Sequence, residues 1–139
     1  MKPKISPEEY RNILNSIDLE LITLTESKAK FQKEFIDNNI EISIKSKPIF
    51  SREENILNIK YRNVFKGKSA DMEKAGIEIM AVYNIEYSVK QNVNIPDTFF
   101  DPFNKFVVEM MIWTYFREFI QNTISRMNLP PLTLPFKRI

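Results

Sequence analysis

The chain contains no cysteine and no histidine among its 139 residues. Without thiols there is no disulfide framework, no thiolate nucleophile and no thiolate metal site. Without imidazole there is no histidine base and no histidine metal site. Glycine occurs only at Gly67 and Gly76, which leaves no glycine-rich phosphate loop and argues against nucleotide hydrolysis. Charge of neither sign dominates: 20 basic and 18 acidic residues leave a net +2, too balanced to indicate a nucleic-acid or membrane partner. Lys28, Lys30 and Lys33 alternate with Glu26 and Glu34, and Lys66 and Lys68 flank Gly67, a pattern that suits a solvated surface. No apolar run reaches the roughly 18 residues that a membrane helix needs, because Glu109, Arg117 and Glu118 interrupt the best one. The polar, acidic SPEEYRN that follows Lys2 and Lys4 is unlike a secretory signal, and with cysteine absent the expected location is the cytoplasm.

What the chain has is apolar and aromatic mass. Hydrophobic residues make up 43% and aromatics 12%, enough buried surface to offset chain entropy in a single domain. Carboxylate pairs occur at Glu53 with Glu54 and at Asp71 with Glu73. Both fall in predicted turns beside lysines or arginines, where solvated charge is the economical reading and acid/base catalysis is not. No catalytic residue, metal or cofactor is therefore expected, and the chain does not read as an enzyme.

The hydrophobic period changes twice along the chain. Ser6, Pro7, Glu8 and Glu9 provide an N-cap, a proline at the first helical position and acids in the first turn, predicting a short helix over 7–16. A four-stranded antiparallel sheet is then predicted over 17–90. Ile17, Leu19 and Leu21 alternate with Asp18 and Glu20, and the run continues through Leu24 toward Phe31 with a bulge where the alternation slips. In the second strand Ile40, Ile42 and Ile44 share one face. The segment SKPIFSREEN reads as a loop. A third strand turns Leu57, Ile59, Tyr61 and Phe65 inward before a turn at Lys66, Gly67 and Lys68. The fourth has the strongest period of two, with Ile77, Ile79, Ala81, Tyr83, Ile85, Tyr87 and Val89 on one side. Its other side is polar except at Met80 and Val82, which suggests a second contact surface in mid-strand.

A long helix is predicted over 101–128, followed by an extended segment over 129–139 locked by Pro130, Pro131 and Pro135. The helix has apolar residues on nearly every face, more than the one stripe a surface helix needs. Strands followed by a helix on one face define the α+β class. One side of the helix can cover its own sheet. The other calls for a second copy of the chain, or for the N-terminal helix and C-terminal segment.

Within that helix the residues carry a resemblance. Trp113, Tyr115, Arg117, Glu118, Ile120, Ser125, Arg126, Pro130, Leu132 and Leu134 stand at the spacing of the helix and exit segment of the SecB family of protein-export chaperones, without a gap. LELITLTESKAKF and NIEISIKS resemble that family's first two strands. The resemblance implies a SecB-like fold assembled as a dimer of dimers. It also implies an ATP-independent holdase that binds unfolded polypeptide in apolar grooves, with no cofactor, nucleic acid or membrane insertion. Members serving secretion are acidic, carry a second C-terminal helix, and reach the SecA motor through acidic surface residues and the C-terminal tail. This sequence is slightly basic and closes at Ile139, so the resemblance points first to the chaperones of toxin-antitoxin-chaperone modules, whose client is an aggregation-prone antitoxin. Delivery of preproteins to SecA is the alternative.

Client contacts are expected at Ile42 and Ile44, at Ile49 and Phe50 after the second strand, at Phe99, Phe100 and Phe103 around the helix entrance, and at Leu132, Leu134 and Phe136. Met110, Trp113, Tyr115, Arg117, Glu118, Ile120, Ile124 and Arg126 are expected at a subunit interface or in structural roles. Arg117 and Glu118 read as a structural ion pair or a cap on a neighbouring strand end, since a charge in an apolar helix demands a partner. Two further readings compete: an oligomeric adaptor without chaperone activity, and a nucleic-acid-binding module using Lys60, Arg62, Tyr61 and Tyr87. The second is weakened because those tyrosines share the face that the helix covers.

Overall fold

A computed structural model describes residues 4–37 and 39–129. Helix α1 spans Pro7–Leu14. Ser6 caps it by accepting a 3.1 Å hydrogen bond from the Glu9 amide on its Oγ, and Glu8 and Glu9 sit in the first turn, where the helix dipole favours acids. The helix ends two residues before its predicted limit.

The strands are β1 (Ile17–Phe31), β2 (Ile40–Glu53), β3 (Ile56–Ser69) and β4 (Ile77–Val89). They form one antiparallel sheet in the order β1-β4-β3-β2, so β1 and β2 are both edge strands. β1 slips register twice, between Leu19 and Leu21 and between Leu24 and Glu26, as its broken alternation predicts. β4 matches its prediction residue for residue: all seven inward positions from Ile77 to Val89 are buried.

Two predicted turns are strand instead. SKPIFSREEN continues β2 to Glu53, and only Glu54 and Asn55 turn the chain into β3; Glu54 adopts φ 51° to do so. Pro48 is tolerated there because β2 pairs only with β3, and on an edge strand proline's missing N–H forfeits no ladder bond. Likewise Gly67 lies inside β3, opposite Ile42 and Ile77. A Cβ there would stand 3.3 Å from Ile40 and Ile77 side-chain atoms, so the glycine serves close packing and not a turn. Gly76 is tighter still. Its amide donates to the Gly67 carbonyl, its own carbonyl accepts from the Gln32 amide, and a Cβ would fall 2.4 Å from Ile36.

A 3-10 turn at Asp97–Phe99 leads into the long helix, which comprises α2 (Phe100–Phe103), a π turn (Asn104–Val108) and α3 (Glu109–Arg126). Pro102 falls in the first turn, where a missing amide proton is harmless. The helix packs over β3 and β4. Phe99, Phe103, Val108, Ile112, Phe116, Ile120 and Ile124 meet Leu57, Ile59, Tyr61, Phe65 and the inward residues of β4 in one core. Each fully buried Ile or Phe contributes about 1.5–3 kcal/mol. Helix α1 docks at the helix entrance, with Tyr10 and Phe99 rings 5.2 Å apart. No helix among the described residues is long and apolar enough to cross a membrane.

Candidate functional site

The sheet is wider than the helix that covers it. Edge strand β2 turns the same alternate residues inward as β3, with Ile42 opposite Gly67, Ile44 opposite Phe65, Pro48 opposite Tyr61 and Phe50 opposite Ile59. The helix lies over β3 and β4, however, and among the described residues nothing covers the inner side of β2 at Ile42. Ile42 is 43% exposed, while Ile44, Pro48 and Phe50 are half-buried. Together they form an apolar ledge beside the helix.

The end of the ledge is walled. Phe50 stacks on Phe100 with ring centroids 4.6 Å apart. The Arg52 guanidinium donates from Nε to the Glu54 carbonyl at 2.9 Å and from Nη1 to the Val93 carbonyl, which holds the loop after β4 against β2. Half-buried Val93 and Ile95 lie in that loop. A short polar network follows in mid-ledge. Ser46 Oγ donates to Asn63 Oδ1 at 2.8 Å, and Asn63 Nδ2 donates to the Tyr61 and Ala81 carbonyls, each at 3.3 Å. Asn63 is thereby satisfied although buried. The Tyr61 hydroxyl donates to Asn104 Oδ1 at 2.9 Å, at the first residue of the π turn. Burial, reinforced by the nearby charge of Glu109 and opposed by the Asn104 bond, pushes the Tyr61 hydroxyl up to about 12. It stays neutral and acts as a fixed donor.

The other flank has the same character. Leu19 and Leu24 of β1 pair with Tyr87 and Tyr83 on the inner face but are 45% and 43% exposed. Tyr115 reaches from α3 toward them, its ring 6.0 Å from that of Tyr83. Burial first, then Glu118 and Tyr115, pushes the Tyr83 hydroxyl up to about 12. On the helix itself Phe106 and Met110, one turn apart, are exposed.

The structure divides the predicted client residues into groups. Ile42, Ile44, Phe50 and Phe100 come together on or beside the ledge. Ile49 lies in β2 and not in a loop; it pairs with Lys60 on the opposite face of the sheet, 55% exposed. Phe99 and Phe103 are corrected to core: their rings stack 4.9 Å apart at 0% and 1% exposure, because the entrance turn folds inward under α1. Leu132, Leu134 and Phe136 lie outside the described residues, as does the segment predicted to be extended beyond Leu129.

Among the predicted interface or structural residues, Trp113, Ile120 and Ile124 are buried in the chain's own core. Met110, Tyr115, Glu118 and Arg126 are exposed, and Arg117 is half-buried. Leu19 and Leu24 were not singled out in the sequence. Their signal was the alternation itself, which marks an apolar face without saying whether anything covers it. Among the described residues no group of three or more acidic residues is placed to hold a metal ion.

No known family model matches the chain, and no curated protein does either. Solved structures do. The SecB-like chaperone Rv1957 of Mycobacterium tuberculosis, in complex with a ChAD peptide from the Rv1956 HigA1 antitoxin, superposes with a TM-score of 0.79 at 11% identity, covering 95% of this chain and 98% of that one. A protein of unknown function from Streptococcus agalactiae is 14% identical over 86% of this chain and 97% of that one, but its TM-score of 0.41 is too low to inform the comparison. Four antiparallel strands under one long helix, with a short helix in front, give this chain the fold of the SecB-like chaperones.

Proposed function

We propose that the protein is an ATP-independent holdase whose client is an unfolded, aggregation-prone polypeptide, with an antitoxin of a toxin-antitoxin-chaperone module as the favoured case. The observation that carries this reading is the uncovered apolar ledge of Ile42, Ile44 and Phe50 beside the long helix. An extended client segment would lay alternate apolar residues along it, with the Phe50–Phe100 stack as the end wall. Holding a client in its unfolded state competes with aggregation by mass action and requires no nucleotide. Several ledges in one assembly would multiply weak contacts through effective concentration. Support for an antitoxin client comes from the M. tuberculosis neighbour, which holds an antitoxin peptide on the same fold.

The assembly itself belongs to the proposal. Tyr115, Met110 and Phe106 on the helix and Leu19 and Leu24 on β1 are apolar surfaces that a second copy would cover, giving a dimer or tetramer. A cytoplasmic location follows from the same reading. The test pairs light-scattering mass with aggregation of a chemically unfolded antitoxin, with and without the protein and without ATP. A multimer that suppresses aggregation supports the proposal. A monomer that leaves aggregation unchanged overturns it.

A further inference from the structure

The outer face of the sheet, on the side away from the long helix, carries an arrangement that client holding does not use. Strand register places its side chains in rows across the four strands. One row reads Lys28, Met80, Val64, Lys45; the next, toward the end where residues 70–76 join β3 to β4, reads Lys30, Glu78, Lys66, Ser43; on the other side stand Glu26, Val82, Arg62 and Lys47. The result is an apolar strip of Met80 and Val64, half-buried, with cations at both ends. Two shallow basins, of about 620 and 360 Å³, open on this surface, and Lys30, Ser43, Lys66 and Glu78 line both.

We infer that this face docks an acidic segment of a partner protein, laid across the strands with an apolar residue on Met80 and Val64 and a carboxylate toward each flanking lysine. Strands about 4.8 Å apart put Lys28 and Lys45 roughly 14 Å apart at their backbones, the span of about four residues of extended chain. The segment would therefore repeat an acid every fourth residue with an apolar residue between. Charge complementarity selects this occupant. A second copy would bring the same cationic face. Nucleic acid is disfavoured because no aromatic side chain of the four strands lies on this face to stack a base.

The inference rests on the outer face alone and does not require chaperone activity. Its test uses the full chain and a fluorescent peptide of repeating Glu-Ser-Leu-Ser, with a Lys-Ser-Leu-Ser analogue and an oligodeoxythymidine of similar length as comparisons. The acidic peptide should bind, with affinity falling about tenfold as salt rises from about 0.05 to about 0.5 M. The lysine analogue should not bind. Combining Lys28→Glu, Arg62→Glu and Lys66→Glu should weaken the acidic peptide about tenfold or more, while aggregation suppression stays at the wild-type level because the ledge faces the other way. The combination Lys28→Gln, Arg62→Gln and Lys66→Gln gives the same reading should charge reversal unfold the chain. Equal binding of the lysine analogue, equal or tighter binding of the oligonucleotide, or unchanged peptide binding by a folded variant would each overturn the inference.

Discussion

Strands β4 and β1 lie side by side with matching inward residues, Tyr83 opposite Leu24 and Tyr87 opposite Leu19, yet the tyrosines are buried and the leucines nearly half exposed. β2 differs from β3 in the same way, Ile42 being open where its partner Gly67 is enclosed. The composition of each strand does not separate centre from edge. A single helix covers about two strands, and this one lies on β3 and β4. Stability therefore concentrates in the middle of the sheet, and the surface available for recognition concentrates at its margins.

The largest expected effect falls at the centre. Phe116→Ala, beneath the helix at 0% exposure, should lower unfolding free energy by about 3–5 kcal/mol in a denaturant titration. A loss below about 1 kcal/mol would mean that the helix does not seal the middle strands. Gly76→Ala tests the tightest approach outside that core. A methyl group 2.4 Å from Ile36 should cost about 1–3 kcal/mol through overpacking, and Gly67→Ala, at 3.3 Å, should cost less. If the order of their melting temperatures reverses, the two contacts have been ranked wrongly.

At the margin the readout changes. Replacing Ile42 by Ser on the open ledge should move stability by only about 0.5 kcal/mol while reducing aggregation suppression. Full suppression by a folded variant would remove Ile42 from the client surface. A last comparison comes from alkali. An unfolded chain releases tyrosine protons near pH 10, whereas Tyr61 and Tyr83 are pushed up to about 12. Between those values the folded state binds more protons, so stability is complete below about pH 10 and falls as pH rises toward 12. Denaturant midpoints followed through that range should fall less for Tyr61→Phe than for wild type; parallel profiles would remove Tyr61 as a source of the dependence.

Much of the scaffold was legible in the sequence because local physics agreed with the final fold. Ser6, Pro7 and Glu9 wrote the start of α1 in capping terms, and the unbroken alternation of β4 predicted a face that is buried throughout. Where local signals had two meanings, the prediction failed. Pro48 and Gly67 are turn residues by habit, but an edge position tolerates the first and close packing demands the second. The candidate site was only partly legible. Ile42, Ile44 and Phe50 were selected and fall together, whereas Phe99 and Phe103, equally apolar, are consumed by the core. Apolar character says that a side chain seeks cover, not which neighbour supplies it.

By itself, then, the sequence determined the α+β class, the inward faces of the strands and an excess of apolar surface on the long helix, since period and capping are properties of short stretches. The tertiary structure alone decided the order β1-β4-β3-β2. It set the helix over the central pair and left Ile42 and Leu24 open at opposite margins. It also gathered Lys28, Arg62 and Lys66 from two strands onto one outer face. These outcomes depend on pairing between residues far apart in the chain, and no local pattern encodes which strands become neighbours.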